Sequence, residues 1–267
     1  MIGFFDSGFG GLTVLKEVTK SLPGYSYIYL GDNARAPYGD RDQDEIYQFT
    51  KEGVIALFGF GAELVILACN TSSSSALRKV QQEFLPRFYP DKKVLGIIIP
   101  TAEEINTFTK TGEVGVLGTT ATILSRAYEK EIKKADPSIK VHGVACPLLV
   151  PMLEAGEIEG EALKAVLRGY LNKLFTKASR IDSIILGCTH YALIEGEFKS
   201  LLPRGVKLVS QGPIIAAKLE DYFSRHPEIE NGLGRRSGRR ILATKDSPAL
   251  RSLRGVVYRQ YARFGCV

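Results

Sequence analysis

Tryptophan is absent from this 267-residue chain, methionine occurs twice and histidine three times. Its four cysteines, Cys69, Cys146, Cys188 and Cys266, lie far apart with no Cys-x-x-Cys pair. That argues against a disulfide framework or a zinc ribbon. No His/Asp/Glu cluster has metal-ligand spacing, and no lysine lies in a motif suggesting a pyridoxal Schiff base, so neither metal nor cofactor is expected. Nowhere does the chain supply the ~18 uninterrupted apolar residues of a membrane span. The opening Met1-Ile2-Gly3-Phe4-Phe5-Asp6 lacks a basic segment and carries an acid where a signal peptide is apolar. The expectation is a cytoplasmic enzyme without a membrane partner.

What is present is globular. Hydrophobic residues make up 45% and charged residues 24%, which excludes disorder for most of the chain. The length lies between one large domain and two small ones. The formal charge of +6 is unevenly placed: residues 231–267 carry a net +8 and residues 1–230 a net −2.

Short apolar runs alternate with longer amphipathic stretches, the pattern of an α/β protein with largely parallel sheets. Buried strands are predicted at 2–5, 27–30, 64–68, 94–99, 114–117, 141–145, 184–186 and 206–209. Helices are predicted at 12–21, 43–58, 75–84, 125–135, 160–178 and 213–223. A weak internal repeat organises them. Leu64-Val65-Ile66-Leu67-Ala68-Cys69-Asn70-Thr71 matches Ser183-Ile184-Ile185-Leu186-Gly187-Cys188-Thr189-His190, and Ile2-Gly3-Phe4-Phe5-Asp6-Ser7 matches Val114-Gly115-Val116-Leu117-Gly118-Thr119. In each half the middle strand opens into a Pro-containing loop, at 31–39 and at 146–154. The reading is two similar β-α-β-type domains with central parallel sheets, related by a pseudo-twofold around a cleft. Residues 1–95 plus 210–267 form the first domain and residues 96–209 the second, with 94–99 and 206–209 as crossings. Ligands of open α/β sheets bind at the carboxyl ends of the strands, which is where Cys69 and Cys188 fall.

The Gly-rich turn Asp6-Ser7-Gly8-Phe9-Gly10-Gly11 matches neither nucleotide-binding glycine motif, and its leading acid repels phosphate. It is either a tight β-to-α turn or a turn whose N–H groups and Ser7 hold a carboxylate. Cys146 and Cys266 read as small buried hydrophobes. Cys69 and Cys188 differ, because helix N-terminal N–H groups or a neighbouring His tune a thiol as base or nucleophile. The two thiols form a disulfide or act as separate acid and base. His190 is a structural hydrogen-bonder or a thiol-tuning proton shuttle. Asp6 is a helix cap or a proton relay, and Glu154 a solvated carboxylate or a third one in the cleft.

Taken together, Asp6-Ser7-Gly8-x-Gly10-Gly11, Gly31-Asp32-x-Ala34-x-x-Pro37-Tyr38-Gly39, Ala68-Cys69-Asn70-Thr71, Gly118-Thr119-x-x-Thr122 and Gly187-Cys188-Thr189-His190-Tyr191 resemble the glutamate racemases of the aspartate/glutamate racemase superfamily. The resemblance implies a cofactor-independent interconversion of L- and D-glutamate that supplies D-glutamate for peptidoglycan, in a homodimer. It implies that Cys69 works on the D-enantiomer and Cys188 on the L-enantiomer. Asp6, His190 and Glu154 would be auxiliary groups. Substrate contacts carried over by motif are Asp6 and Ser7, then Pro37, Tyr38 and Gly39, and Asn70 and Thr71 beside Cys69. Thr119 and Thr122, and Thr189 and His190 beside Cys188, complete them. Two small departures fall outside the reacting groups: Ala192 stands where the family usually has Pro, and Ser72 where it often has Ala.

Alternatives are a racemase of another acidic amino acid such as aspartate, and a non-catalytic small-molecule-binding α/β protein, which leaves the matched cysteines unexplained. Nucleic acid is not expected as a partner. The basic tract Arg235-Arg236-Ser237-Gly238-Arg239-Arg240 has no interleaved aromatics, and such a run is usually a solvated face.

Overall fold

A computed structural model describes residues 1–235, 238–245 and the backbone of 264–266. The elements are β1 Ile2–Asp6, α1 Leu12–Ser21, β2 Tyr27–Gly31, α2 Gln43–Gly59, β3 Leu64–Leu67 and α3 Asn70–Ser75. There follow α4 Leu77–Lys79, the π-turn Val80–Phe84, α5 Leu85–Phe88, β4 Lys93–Gly96, α6 Ile98–Glu104, β5 Glu113–Gly118, α7 Thr120–Leu124 and α8 Ala127–Ala135. The chain continues through β6 Lys140–Ala145, α9 Leu149–Glu154, α10 Glu161–Lys177, β7 Ser183–Gly187, the 3-10 turn Thr189–Ile194, α11 Glu195–Leu201 and β8 Lys207–Val209. Last come α12 Gln211–Arg225, α13 Pro227–Glu230, β9 Arg239–Ala243 and β10 Phe264–Cys266.

Two sheets result, with strand orders β10-β9-β2-β1-β3-β4 and β6-β5-β7-β8, and every pairing is parallel. Strands such as Leu64–Leu67 and Ser183–Gly187 are buried at every position, as parallel strands covered by helices on both faces must be. The repeat read in the sequence is also a repeat of topology: β2-β1-β3-β4 and β6-β5-β7-β8 carry the same order.

The chain passes between the sheets directly after β4 and again directly after β8. Helix α6 sends Ile98 and Ala102, and the turn after it Ile105, into the core of the four-stranded sheet. Helix α12 returns, packing Ile215, Ala216, Leu219 and Phe223 with α1 against the six-stranded sheet.

Several elements differ from the sequence reading for identifiable reasons. The strand expected at 94–99 ends at Gly96, and Ile98 opens a helix. A run of isoleucines suits either state, and Pro100 sits in the first turn, where its missing N–H has no partner to lose. The second Pro-containing loop hides α9 in the same way, with Pro151 in its first turn. The helix expected over 75–84 is α4 running into the π-turn Val80–Phe84, and before it stands a separate short helix, α3, capped by Cys69. The helix expected over 125–135 begins at Ala127, because Arg126 before it has a left-handed φ of 54°. Strand β9 and helix α11 had no counterpart in the sequence reading.

The described residues of the basic tract belong to the fold. Arg239 and Arg240 lie in β9, which extends the six-stranded sheet beside β2. The Arg240 guanidinium stacks over the Phe60 ring at 5.2 Å and that of Arg235 over Tyr25 at 5.1 Å. Arg236, Ser237 and the side chain of Cys266 lie outside the described residues. Among the described residues no helix is long and apolar enough to cross a membrane.

Candidate active site

The carboxyl ends of β1, β2 and β3 face those of β5, β6 and β7 across a narrow cleft, with Cys69 and Cys188 both on its wall. On one side Asp6 ends β1 and is almost wholly buried. Its Oδ2 accepts the N–H groups of Gly11 at 2.9 Å and Gly8 at 3.3 Å. The turn's N–H groups therefore hold a carboxylate, as one sequence reading had it, but the carboxylate is the protein's own. Burial raises the Asp6 pKa, against the opposing pull of the His190 charge and the two N–H bonds.

Ser7 Oγ lies 3.4 Å from Cys69 Sγ. Cys69 caps α3, its sulfur accepting the Ser72 N–H at 3.4 Å. Burial, then the charge of Asp6, pushes the thiol up to about 11, although the Ser7 and Ser72 bonds pull the other way.

On the opposite side Cys188 follows β7, and its Sγ is 3.9 Å from His190 Nδ1. The other ring nitrogen, Nε2, lies 2.8 Å from Glu154 Oε1 on α9. Burial alone would lower the His190 pKa, but its bonds to Cys188 and Glu154 outweigh that and leave it well above the usual value. The ring is held from the first half: Phe9 meets it edge-on at 4.8 Å between centroids. Gly8 and Gly10 let the turn approach so closely that a Cβ on Gly10 would stand 2.6 Å from the His190 backbone nitrogen. The halves are also joined by Thr189, whose hydroxyl donates to Asp6 Oδ1 at 3.5 Å.

The remaining lining is neutral and rich in donors. The hydroxyls of Thr71, Thr119 and Thr122 form a chain with spacings of 2.9 and 3.0 Å. Tyr38 OH donates to buried Asp32 at 2.5 Å. Cys69, Cys146 and Cys188 are free thiols, so the disulfide alternative is not realised.

Of the residues singled out from sequence, Ser7, Pro37, Tyr38, Gly39, Cys69, Asn70, Thr71, Thr119, Cys188, Thr189 and His190 line the cleft. Asp6, Glu154 and Thr122 do not line it, and stand behind Cys69, His190 and Thr119 respectively. Asp40, Cys146, Pro147, Val150 and Pro151 complete the wall and were not picked out. Four of these five belong to the loop over 146–154, which the repeat had already matched to the loop carrying Tyr38. Cys146 is a buried small residue as expected, yet it also faces the cleft.

A duplicated parallel α/β fold with a thiol at equivalent strand ends on each side of one cleft defines a class. Residues 12–219 match the family described as Asp/Glu/Hydantoin racemase, and the chain belongs to it. Glutamate racemase of Phenylobacterium zucineum (strain HLK1) is 42% identical, with 94% of each chain covered. The structure is similar to that of glutamate racemase isoform RacE1 from Bacillus anthracis, with a TM-score of 0.89 at 32% identity over 100% of this chain and 97% of that one. Glutamate racemase from Francisella tularensis in complex with D-glutamate gives 0.85 at 30% identity, over 100% and 96%.

Proposed function

We propose that the protein is a glutamate racemase, an isomerase that interconverts L- and D-glutamate without a cofactor by proton transfer between Cys69 and Cys188. The observation that carries this reading is the placement of two free thiols on opposite walls of one cleft, each with its own buried auxiliary groups. Inverting a stereocentre requires a proton to leave one face of the α-carbon and another to arrive on the opposite face. Two opposed bases do this without turning the substrate over.

From L-glutamate, the Cys188 thiolate takes the α-proton and the C–H electron pair stays on carbon. The Cys69 thiol then delivers its proton to the other face and becomes the thiolate. From D-glutamate the same steps run in reverse. Cys69 suits the role of acid in the first direction, because burial makes it hold its proton at neutral pH. Protonated His190 places a positive charge and a proton donor beside Cys188.

The carbanion-like transition state is stabilised by fixed dipoles in a water-poor cleft. Ser7, Asn70, Thr71, Thr119 and Thr189 are the donors that hold the substrate's two carboxylates in ground and transition states alike. Release of D-glutamate for peptidoglycan, a cytoplasmic location and a homodimer accompany the reading through the family resemblance.

The test is incubation of purified protein with L-glutamate in deuterated water, following optical rotation and α-deuterium. Loss of rotation with deuterium in the D-product is expected, and each of Cys69→Ala and Cys188→Ala abolishes it. Turnover of aspartate alone would move the assignment to an aspartate racemase, and no exchange with either amino acid overturns the racemase reading.

A further inference from the structure

Beneath the cleft floor, where the two crossings between sheets meet, lies a closed set of hydrogen bonds among buried side chains from four helices. Gln211, the first residue of α12, accepts from Asn70 Nδ2 through its Oε1 at 2.6 Å. Its Nε2 gives one hydrogen to Tyr128 OH at 2.8 Å and shares the other between Thr101 Oγ1 at 3.2 Å and the Ile97 carbonyl at 3.3 Å. Tyr128 OH on α8 donates in turn to Asn70 Oδ1 at 2.6 Å. All four side chains are at most 4% exposed.

We propose that Gln211 and Tyr128 are positioning residues for substrate binding, fixing the Asn70 amide so that it offers the cleft an N–H donor. The inference rests on the racemase reading above and deepens it.

The direction of every bond follows from one group that can only accept. The Ile97 carbonyl has no proton, and the Thr101 hydroxyl already gives its own to that carbonyl at 2.7 Å. The end of Gln211 facing them must therefore be its NH₂. Its oxygen then faces Asn70, so the Asn70 atom meeting it must be the nitrogen. The Asn70 oxygen is left to Tyr128, whose single proton it takes. One hydrogen on Asn70 Nδ2 remains, and Asn70 lines the cleft beside Cys69. A flipped amide would offer a lone pair there and repel a carboxylate. Ile97 lies in the first crossing and Gln211 opens the second, so the donor is held by the segments that join the two halves.

A donor that binds the same carboxylate in ground and transition states affects KM far more than kcat. Tyr128→Phe, which keeps the ring and removes only the hydroxyl, is expected to raise KM for both enantiomers about tenfold and leave kcat within about threefold. Gln211→Glu is expected to do the same, because a carboxylate only accepts and draws the Tyr128 proton away from Asn70. In an Asn70→Ala background Tyr128→Phe should change KM less than twofold. Asp182→Asn serves as the control, since it weakens bonds to Thr109, Lys110 and Thr111 remote from the cleft and should lower Tm with KM unchanged.

An active wild type whose KM is unmoved by Tyr128→Phe, or additive effects of the two changes, overturns the positioning role and leaves the racemase assignment standing. A wild type inactive on both glutamate enantiomers overturns the assignment and the inference with it.

Discussion

Glu154 Oε1 lies 2.8 Å from His190 Nε2, the ring nitrogen turned away from Cys188. The pair helps Cys188 to keep a buried imidazole charged. Burial is the largest single influence on His190 and acts to lower its pKa, and the bonds to Cys188 and Glu154 reverse the result. Glu154→Gln keeps the shape and removes the charge, so the His190 pKa falls. A lowered pKa means that the ring loses its proton at a lower pH. The alkaline limb of the kcat profile should therefore move to lower pH, and kcat near neutrality should drop on the order of 10- to 100-fold. Profiles of both proteins from pH 6 to 10 measure this; superimposed limbs would make Glu154 a bystander.

The seat of the same imidazole yields a graded prediction. A Cβ at Gly10 would meet the His190 backbone nitrogen and Thr189 Oγ1 at 2.6 Å, whereas at Gly8 the closest atom is Glu154 Oε1 at 2.7 Å. Backbone gives way much less readily than the end of a Glu side chain. Gly10→Ala should therefore destabilise by about 1–3 kcal/mol, as overpacking does, and abolish most turnover. Gly8→Ala should retain more of both. Thermal melts and kcat/KM for the two variants provide the check, and the reverse ranking would contradict the close approach of the halves.

How much of this could be read beforehand depends on what kind of signal each residue carried. The parallel sheets and their duplication were legible, because buried strands write themselves as apolar runs and Cys69 and Cys188 recur at matching places. Helices α6 and α9 were not, because Pro100 and Pro151 read as breakers although both occupy first turns. Asp6 and Glu154 were legible as candidates but not as groups standing behind the cleft wall, since a spacing along the chain does not tell which carboxylate oxygen meets Gly11 or His190. The Gln211–Tyr128–Asn70 set left no trace, because its members lie far apart in sequence and only Asn70 belongs to a motif. The basic tract was read as a solvated face, and Arg235 and Arg240 are indeed exposed; their guanidinium groups lying over Tyr25 and Phe60 left no trace in the sequence pattern.

Cys69 makes stability depend on pH above the neutral range. The native thiol sits at about 11 against 9.0 for an unperturbed one. Below the lower value both states hold the proton. Between the two values the unfolded chain has released a proton that the native state keeps, so stability falls as pH rises, by ~1.4 kcal/mol per unit. Above the higher value the dependence ends. Cys69→Ala deletes this contribution, and its stability should fall less than the wild type's between pH 9 and 11, by roughly 2–3 kcal/mol. Urea denaturation in half-unit steps supplies the comparison. Parallel curves would mean that the native thiol ionises as easily as a free one, and Cys69 would then lose its standing as the acid that reprotonates the L-derived carbanion.

The segment directly after β9 reaches the loop carrying Tyr38 through the hydroxyl of Thr244. Thr244, directly after β9, donates to Asp32 Oδ1 at 2.8 Å and accepts the Ala34 N–H at 3.0 Å. Asp32 Oδ2 receives Arg35 Nε at 2.6 Å and Tyr38 OH at 2.5 Å. The loop carrying Pro37, Tyr38 and Gly39 is therefore tied to the last described strands through one buried carboxylate. Thr244→Val keeps the side-chain volume and leaves Asp32 Oδ1 and the Ala34 N–H without this partner. A lost buried partner costs about 1–3 kcal/mol. Loosening of the Tyr38 loop should raise KM for glutamate a few-fold and leave kcat nearly unchanged, because neither thiol moves. Thr244→Ser restores the hydroxyl and should restore both values. Chemical denaturation and steady-state kinetics on the three proteins decide the matter: a stability loss without a KM change would confine Thr244 to holding the sheet edge, and failure of the serine variant to recover KM would disconnect the strand from the cleft.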